Sequence, residues 1–338
     1  MKNRSKLMKI SALVLCAALT ALPLAGCTAK TGGESTDNKK KIGIIQYAPH
    51  ASLDNCYKGL LEGLKEAGFA DGEGAVIDFK NAMGVPETTQ QLAKNMVNKK
   101  YDLIIGIATP AAAAAFSAAL NTDIPTVFCA VSDPLKAELV KSLDKPENNC
   151  TGTSDLLNVE GQLKLIRAFQ PDAKKIGILY TTDEANSLSQ ISEFERLAPN
   201  YGFEIVKQGI QNGSEVAING ASLAAKVDCI TNLTDNNVVN NLNTLLAKAN
   251  EAKIPVYGSE VEQVTRGCLA AESLDYIALG KQTGAIAARV LNGEAAGNVP
   301  VGLVKDSQPV INTDVAAQFN LAIPEAYAGA EKVTTSAE

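Results

Sequence analysis

From Lys39 onward the chain alternates short β-branched or apolar runs with longer segments of helical spacing, and this alternation narrows the possible folds more than any other feature. "KIGIIQY" precedes "SLDNCYKGLLEGLKEAGF", "AVIDFKNA" precedes "PETTQQLAKNMVNK", "DLIIGIAT" precedes "PAAAAAFSAAL", and "PTVFCAV" follows. In the first helical segment Leu53, Cys56, Tyr57, Leu60, Leu61 and Leu64 recur at intervals of three and four, which makes one buried stripe, and Gly68 is placed to stop the helix. Strands that are apolar along their whole length have no face for water. The pattern therefore predicts an α/β protein whose parallel sheet is covered by helices on both sides.

The plan occurs twice. "KIGII" at 41–45 returns as "KIGIL" at 175–179, "YDLIIGIATP" at 101–110 aligns with "VDCITNLTDN" at 227–236, and "IPTVF" at 124–128 aligns with "IPVYG" at 254–258. Three matches in the same order predict two similar doubly wound lobes. Open parallel sheets bind ligands at the carboxyl ends of their strands. Those ends carry the loops "QYAPHAS", "IATPA" and "AVSDP" in the first half, and "YTTDEANS", "LTDNN" and "GSEVE" in the second.

Helix amino termini offer unpaired N–H groups and partial positive charge, which suits a small anion such as a carboxylate. Thr109, Ser132 and Ser187 are each expected near such a start, with Asn186 adding an amide donor; each is equally readable as a helix cap. Asp235 and Glu260 bring negative charge to the facing half, where desolvated acids call for a cationic partner such as a ligand ammonium. Asp235 also reads as the cap of a helix starting near Asn237. Tyr47 and His50 follow the first strand and could stack on a flat ligand or reach a phenol by hydrogen bond.

The opening residues belong to a different kind of segment. Lys2, Arg4, Lys6 and Lys9 precede an uncharged apolar run from Ile10 to Leu22, too short to span a bilayer, and then Leu24-Ala25-Gly26-Cys27. This reads as a signal peptide over 1–26, and its end resembles the bacterial lipobox, in which the cysteine is acylated and becomes the new amino terminus. Residues 27–38 then read as a flexible tether from a lipidated Cys27. Removing the four basic residues makes a formal charge of −6 more negative still, which excludes nucleic acid as a partner.

Five cysteines remain after Cys16 is removed and Cys27 acylated. None are spaced C-x-x-C, so neither a disulfide framework nor a metal site is expected. His50 is the only histidine, which removes histidine triads and multi-histidine metal sites. There is no G-x-x-x-x-G-K-[ST], G-x-S-x-G or H-E-x-x-H, and "GEGAVI" at 72–77 precedes a strand where a dinucleotide fingerprint follows one. No enzyme activity and no cofactor are expected.

The blocks "QYAPHASLDNCYKGLLEGLKEAGF", "NAMGVPETTQQLAKNMV", "PTVFCAVSDPLKAELV", "NCTGTSDLLNVEGQLKLI", "DAKKIGILYTTDEANSLSQ", "DCITNLTDNNVV" and "IPVYGSEVEQVTRGCLAAESLDYIALGKQTG" are similar to the substrate-binding lipoproteins of bacterial ABC importers, in the branch associated with tryptophan and tyrosine. The likeness runs from about Lys39 to about Glu325. It implies a type I periplasmic-binding-protein fold of two Rossmann-like lobes joined by three crossovers. The first lobe would take residues 39–152 and 275–299, the second 153–274 and 300–330. Ser154 and Asp275 would stand at the crossings near the cleft, and the late helix "YIALGKQTGAIAARVLNG" would belong to the first lobe.

For the ligand the resemblance implies an aromatic amino acid. Its carboxylate would be held by Thr109, Ser132, Asn186 and Ser187, its ammonium by Asp235 with Glu260 as second candidate, and its ring by Gln46, Tyr47 and His50. Asp54 would cap or orient the first helix. Phenol and indole both stay open. The lobes would close on the ligand, and a monomer anchored on the outer face of the cytoplasmic membrane would meet an ABC permease and its ATPase. An adhesin or a sensory binding protein are the alternatives.

Overall fold

The first apolar run becomes β1 (Lys40–Gln46), and the stripe of leucines that follows it becomes α1 (Ala51–Glu66), in a computed structural model that describes residues 39–304 and 307–336. The signal peptide, the tether and Cys27 lie outside the described residues. After α1 come β2 (Ala75–Asn81), α2 (Pro86–Asn98), β3 (Leu103–Ile107), α3 (Thr109–Ala119), β4 (Thr126–Cys129) and β5 (Cys150–Ser154). The second half runs α4 (Val159–Phe169), β6 (Lys175–Thr181), α5 (Ala185–Leu197), β7 (Glu204–Ile210), α6 (Val216–Ala224), β8 (Cys229–Thr231), α7 (Asn236–Asn240), α8 (Leu242–Glu251), β9 (Val256–Tyr257), α9 (Val261–Thr265) and β10 (Ala270–Ser273). The chain ends with α10 (Tyr276–Leu291), β11 (Gly302–Leu303), β12 (Gln308–Asn312), α11 (Thr313–Gln318) and β13 (Glu331–Val333).

The first lobe is built on a parallel sheet of order β11-β5-β4-β3-β1-β2, the second on a parallel sheet of order β7-β6-β8-β9. The three sequence matches land on equivalent strands: β1 and β6, β3 and β8, β4 and β9 occupy the same places in the two sheets. Ile42, Ile44, Leu103 and Ile105 form the first core with Leu60 and Leu64 of α1. The second lobe packs Ile176, Ile178, Phe194 and Tyr257 on one side of its sheet and Leu179, Ile230, Leu242 and Leu245 on the other. Both sheets are thus covered on both faces, as their continuous apolar runs require.

The chain passes between the lobes three times: after β5, between β10 and α10, and between β11 and β12. At the crossings the structure adds a small third sheet, in which β10 pairs antiparallel with β12 and β12 parallel with β13. The antiparallel pair arises because the chain leaves the second lobe along β10 and re-enters it along β12. β5 and β11 pair inside the first sheet, so residues 153–154 and 302–303 lie there and not in the second lobe, to which the sequence reading gave them.

Helix α10 comes late in the chain yet lies against α1. A Cβ at Gly59 or Gly63 would run into the carbonyls of Ile277 and Lys281, and one at Gly280 or Gly284 into those of Cys56 and Leu60. Four glycines bring the two backbones into direct contact and fix the amino end of α10 beside that of α1. One local expectation fails: the residues after Ser132 form turns and no helix, so Ser132 does not stand at a helix amino terminus. Cys56, Cys129, Cys150, Cys229 and Cys268 are free and buried. No helix among the described residues is long and apolar enough to cross a membrane.

Candidate functional site

The strand ends of the two lobes line a narrow cavity whose walls are His50, Leu53, Ala108, Thr109, Ala130, Ser132, Asp155, Asn186, Thr234, Asn236, Glu260 and Tyr276. Wider depressions exist on the outer surface, such as one between α2 and α3 bordered by Lys94 and Pro110. That depression has none of the buried, unpartnered polar atoms that mark the inter-lobe cavity.

Five of the nine expected site residues line this cavity: His50, Thr109, Ser132, Asn186 and Glu260. Gln46, Tyr47, Ser187 and Asp235 do not. Gln46 is buried and gives its amide hydrogens to the carbonyl of Ala48 and to Asp54 Oδ1, so Asp54 anchors the end of β1. Tyr47 donates its hydroxyl to the carbonyl of Gly84 at 3.1 Å.

Asp235 corrects the expected ammonium partner. Its Oδ2 accepts from Thr181 N at 2.6 Å and Ser187 Oγ at 2.7 Å, and its Oδ1 accepts from Thr181 Oγ1 at 2.7 Å and Val238 N at 3.0 Å. Four donors saturate both oxygens, so Asp235 is the cap of α7 and Ser187 is one of its donors. Neither lines the cavity, and Ser187 has no hydrogen left to give a ligand carboxylate.

Thr109 reaches the cavity through an unusual turn. Ala108 has φ 76° and ψ 154°, a region that glycine alone adopts without strain. The kink turns β3 directly into α3 and sets Thr109 at the first helical position, with its Oγ1 buried and unpartnered. Gly106 permits it, since a Cβ there would lie 2.5 Å from the backbone of Ala112. Ala130, at the end of β4, also has a positive φ of 55° and also lines the cavity.

The cavity is also acidic. Asp155 and Glu260 are almost fully buried, and burial raises the pKa of both carboxyls. Asp155 accepts from Ser132 Oγ at 3.1 Å and from the Tyr276 hydroxyl at 3.0 Å, and Glu260 accepts from Gln263 Nε2 at 3.0 Å. No lysine or arginine lines the cavity. Two desolvated carboxyls without a cation favour a positively charged ligand group.

Asn186 contributes with the opposite polarity to the one expected. Its Nδ2 donates to Glu184 Oε2 and to the carbonyl of Thr234, both at 3.0 Å, and its Oδ1 is buried without a partner. The side chain therefore offers the cavity an acceptor. His50 is pushed down to about 4 by burial and stays neutral, with Nε2 3.4 Å from Asn236 Oδ1 and Nδ1 unpartnered.

Asp155 and Tyr276 were missed by one residue each. Ser154 donates to the carbonyl of Ser132, and Asp275 caps α10 through Ile277 N and Ala278 N; neither lines the cavity. Successive residues of a strand face opposite sides, and that alternation at the end of β5 was the available signal for Asp155. Thr234, Asn236 and Glu184 lie within loops that the sequence reading had marked.

The lobes touch across the cleft through short polar contacts. Gln190 Nε2 meets Ser132 Oγ at 2.9 Å, Ser189 Oγ meets Asp133 Oδ2 at 2.8 Å, and Asn55 Nδ2 meets Glu262 Oε1 at 2.6 Å.

Comparison with known proteins agrees with this architecture. Residues 41–333 match the family model described as ABC transporter substrate binding protein. A tyrosine-binding protein of Clostridioides difficile (strain R20291) is 40% identical over 94% of this chain and 93% of its own. A Streptococcus pneumoniae ABC domain solved with L-Trp is 35% identical, covers 87% of this chain and 99% of its own, and superposes with a TM-score of 0.84. A Clostridium difficile substrate-binding protein with adhesive properties, solved ligand-free and open, is 39% identical over 88% of this chain and all of its own, with a TM-score of 0.67. The better superposition on the ligand-bound relative, despite its lower identity, agrees with lobes in the closed arrangement.

Proposed function

The chain belongs to the ABC transporter substrate-binding protein family, and from that membership we propose that it binds an aromatic amino acid, tyrosine or tryptophan, between its lobes and presents it to a membrane permease. The family is one of binding proteins and not of enzymes. The observation that carries the reading is the polarity of the cavity: two buried carboxyls without a cation share it with the unpartnered Thr109 hydroxyl at the amino end of α3. An α-amino acid has matching ends. Its ammonium would meet Asp155, Glu260 and Asn186 Oδ1, and its carboxylate would meet Thr109 and the helix terminus. His50, Leu53 and Tyr276 would flank the ring, with Gln46 and Tyr47 supporting that wall from behind.

Contacts from both lobes make the closed form the tighter binder, so ligand shifts the equilibrium toward closure. Acylation at Cys27 would hold the receptor on the outer face of the cytoplasmic membrane, where the permease is. The adhesive relative supports a second role at the cell surface. Cleft variants that lose ligand but still adhere would separate the two roles.

Native mass spectrometry of protein purified without added ligand provides the direct test. One tyrosine or tryptophan per chain is expected. If the protein carries neither and no aromatic amino acid raises its melting temperature, the reading is wrong.

A further inference from the structure

Glu184 does not line the cavity, yet three donors converge on one of its oxygens. Oε2 accepts from the Asn236 backbone N–H at 3.0 Å, from Asn236 Nδ2 at 2.7 Å and from Asn186 Nδ2 at 3.0 Å. A backbone N–H can only donate, so Oε2 is an acceptor whatever the protonation of the carboxyl. The second Asn186 amide hydrogen goes to the carbonyl of Thr234, which can only accept. Turning either amide over would set oxygen against oxygen. Asn186 must therefore leave its Oδ1 free, and Asn236 must turn its Oδ1 toward His50 Nε2. That contact puts the imidazole hydrogen on Nε2 and leaves Nδ1 a bare lone pair, buried and unpartnered.

We propose that Glu184 is a positioning residue that sets the polarity of the ligand site: by orienting Asn186 it turns an acceptor toward the ligand ammonium and makes the site select that group, and by orienting Asn236 it fixes the tautomer of His50 at the ring wall. This deepens the reading of the cleft as an amino-acid site and rests on it for the identity of the ligand. Burial, helped by Asp235, pushes the Glu184 carboxyl up to about 8, so near neutral pH it carries its proton on the unpartnered Oε1. Glutamine has the same pattern of one acceptor and one donor. Leucine has neither.

The test compares Glu184→Leu and Glu184→Gln with the original chain, using L-tryptophan against indole-3-propionate and L-tyrosine against its deaminated analogue. Glu184→Leu should reduce the preference for the amino acid at least about tenfold, the size of one charge-assisted hydrogen bond, and Glu184→Gln should restore it. A purely structural role would weaken both members of each pair alike and leave the ratio unchanged, which would overturn the proposal. With L-tryptophan bound, the nitrogen-15 spectrum of the single histidine should show Nε2 protonated and Nδ1 bare; the opposite tautomer would also overturn it.

The Asn186 amide and Glu184 lie in one lobe, so hydrogen exchange of that amide can be followed without ligand. Slow exchange in the original chain and fast exchange in Glu184→Leu supports the proposal, and equal rates contradict it. This readout holds even if no aromatic amino acid binds, in which case the reading of the cleft fails separately.

Discussion

Gln190 Nε2 of the second lobe donates to Ser132 Oγ of the first at 2.9 Å, which leaves the Ser132 hydroxyl free to donate to Asp155 Oδ1 at 3.1 Å. Closing the lobes thus orients a hydroxyl onto an acid that faces the ligand. The latch and the binding wall share one hydrogen-bond chain.

Gln190→Ala removes the latch together with the Gln190 hydrogen bonds to Thr234, and leaves the Asp155 and Glu260 carboxyls in place. A net hydrogen bond is worth about 0.5–1.5 kcal/mol, so affinity should fall about 2- to 10-fold, chiefly through faster release. The chain contains no tryptophan, so bound L-tryptophan is its only indole and stopped-flow fluorescence reads the release rate directly. An unchanged rate would mean that this contact does not hold the closed form.

Asp155 and Asp235 should separate binding from folding. Asp155→Asn removes a charge facing the ligand ammonium and should weaken amino-acid affinity about 10- to 100-fold. Asp235→Ala removes the α7 cap and the partner of Ser187 and Thr181, and should lower unfolding free energy by about 1–2 kcal/mol or more. Calorimetric titration beside chemical denaturation distinguishes them. The assignment fails if the larger loss of affinity, at equal stability, follows the Asp235 change.

Ala108 holds a conformation that costs about 1–3 kcal/mol for a residue with a Cβ. Ala108→Gly relieves this at an entropic cost of about 0.5–1 kcal/mol, so the variant should melt higher. Ala108→Val should melt markedly lower. If the glycine variant melts lower instead, the turn is not strained.

Stability should fall as pH rises through about 7 to about 8. Burial pushes Glu262 up to about 7 and Glu184 up to about 8, with neighbouring Glu260 and Asp235 adding to the two shifts. A carboxyl with a raised folded pKa binds its proton more tightly when folded. Its contribution is complete below the ordinary value of 4.5 and is lost as pH climbs to about 7 and about 8 respectively. His50, held down to about 4, has the opposite sign and acts only below its ordinary 6.5. Between pH 6.5 and 8.5 the ligand-free melting temperature should therefore decline, and less so in Glu184→Gln. A melting temperature that climbs across this range would contradict the assignment.

The fold was legible because apolar runs without polar faces admit few arrangements, and because β1 and β6 carry nearly the same words. The third sheet was not legible, since the four-residue β10 and the three-residue β13 have too little pattern to read. At the site, Thr109 and Glu260 could be placed from strand ends alone. Tyr276 could not, because the facing of the first residue of α10 is set by tertiary packing, here the glycine contact of α10 with α1, whereas Asp155 needed only the strand alternation carried one residue past β5. The polarity of Asn186 was inaccessible for a similar reason: a sequence names an amide but not which end of it Glu184 and the Thr234 carbonyl will hold.

Calorimetric titration of the stripped protein with L-tyrosine, L-tryptophan and their deaminated analogues bears most directly on the cleft. One amino acid should bind per chain, with the deaminated analogue weaker by a factor of about ten or more, and Asp155→Asn should abolish most of that difference. Equal affinity for amino acid and analogue, or no binding of either amino acid, would contradict an ammonium site at Asp155 and Glu260.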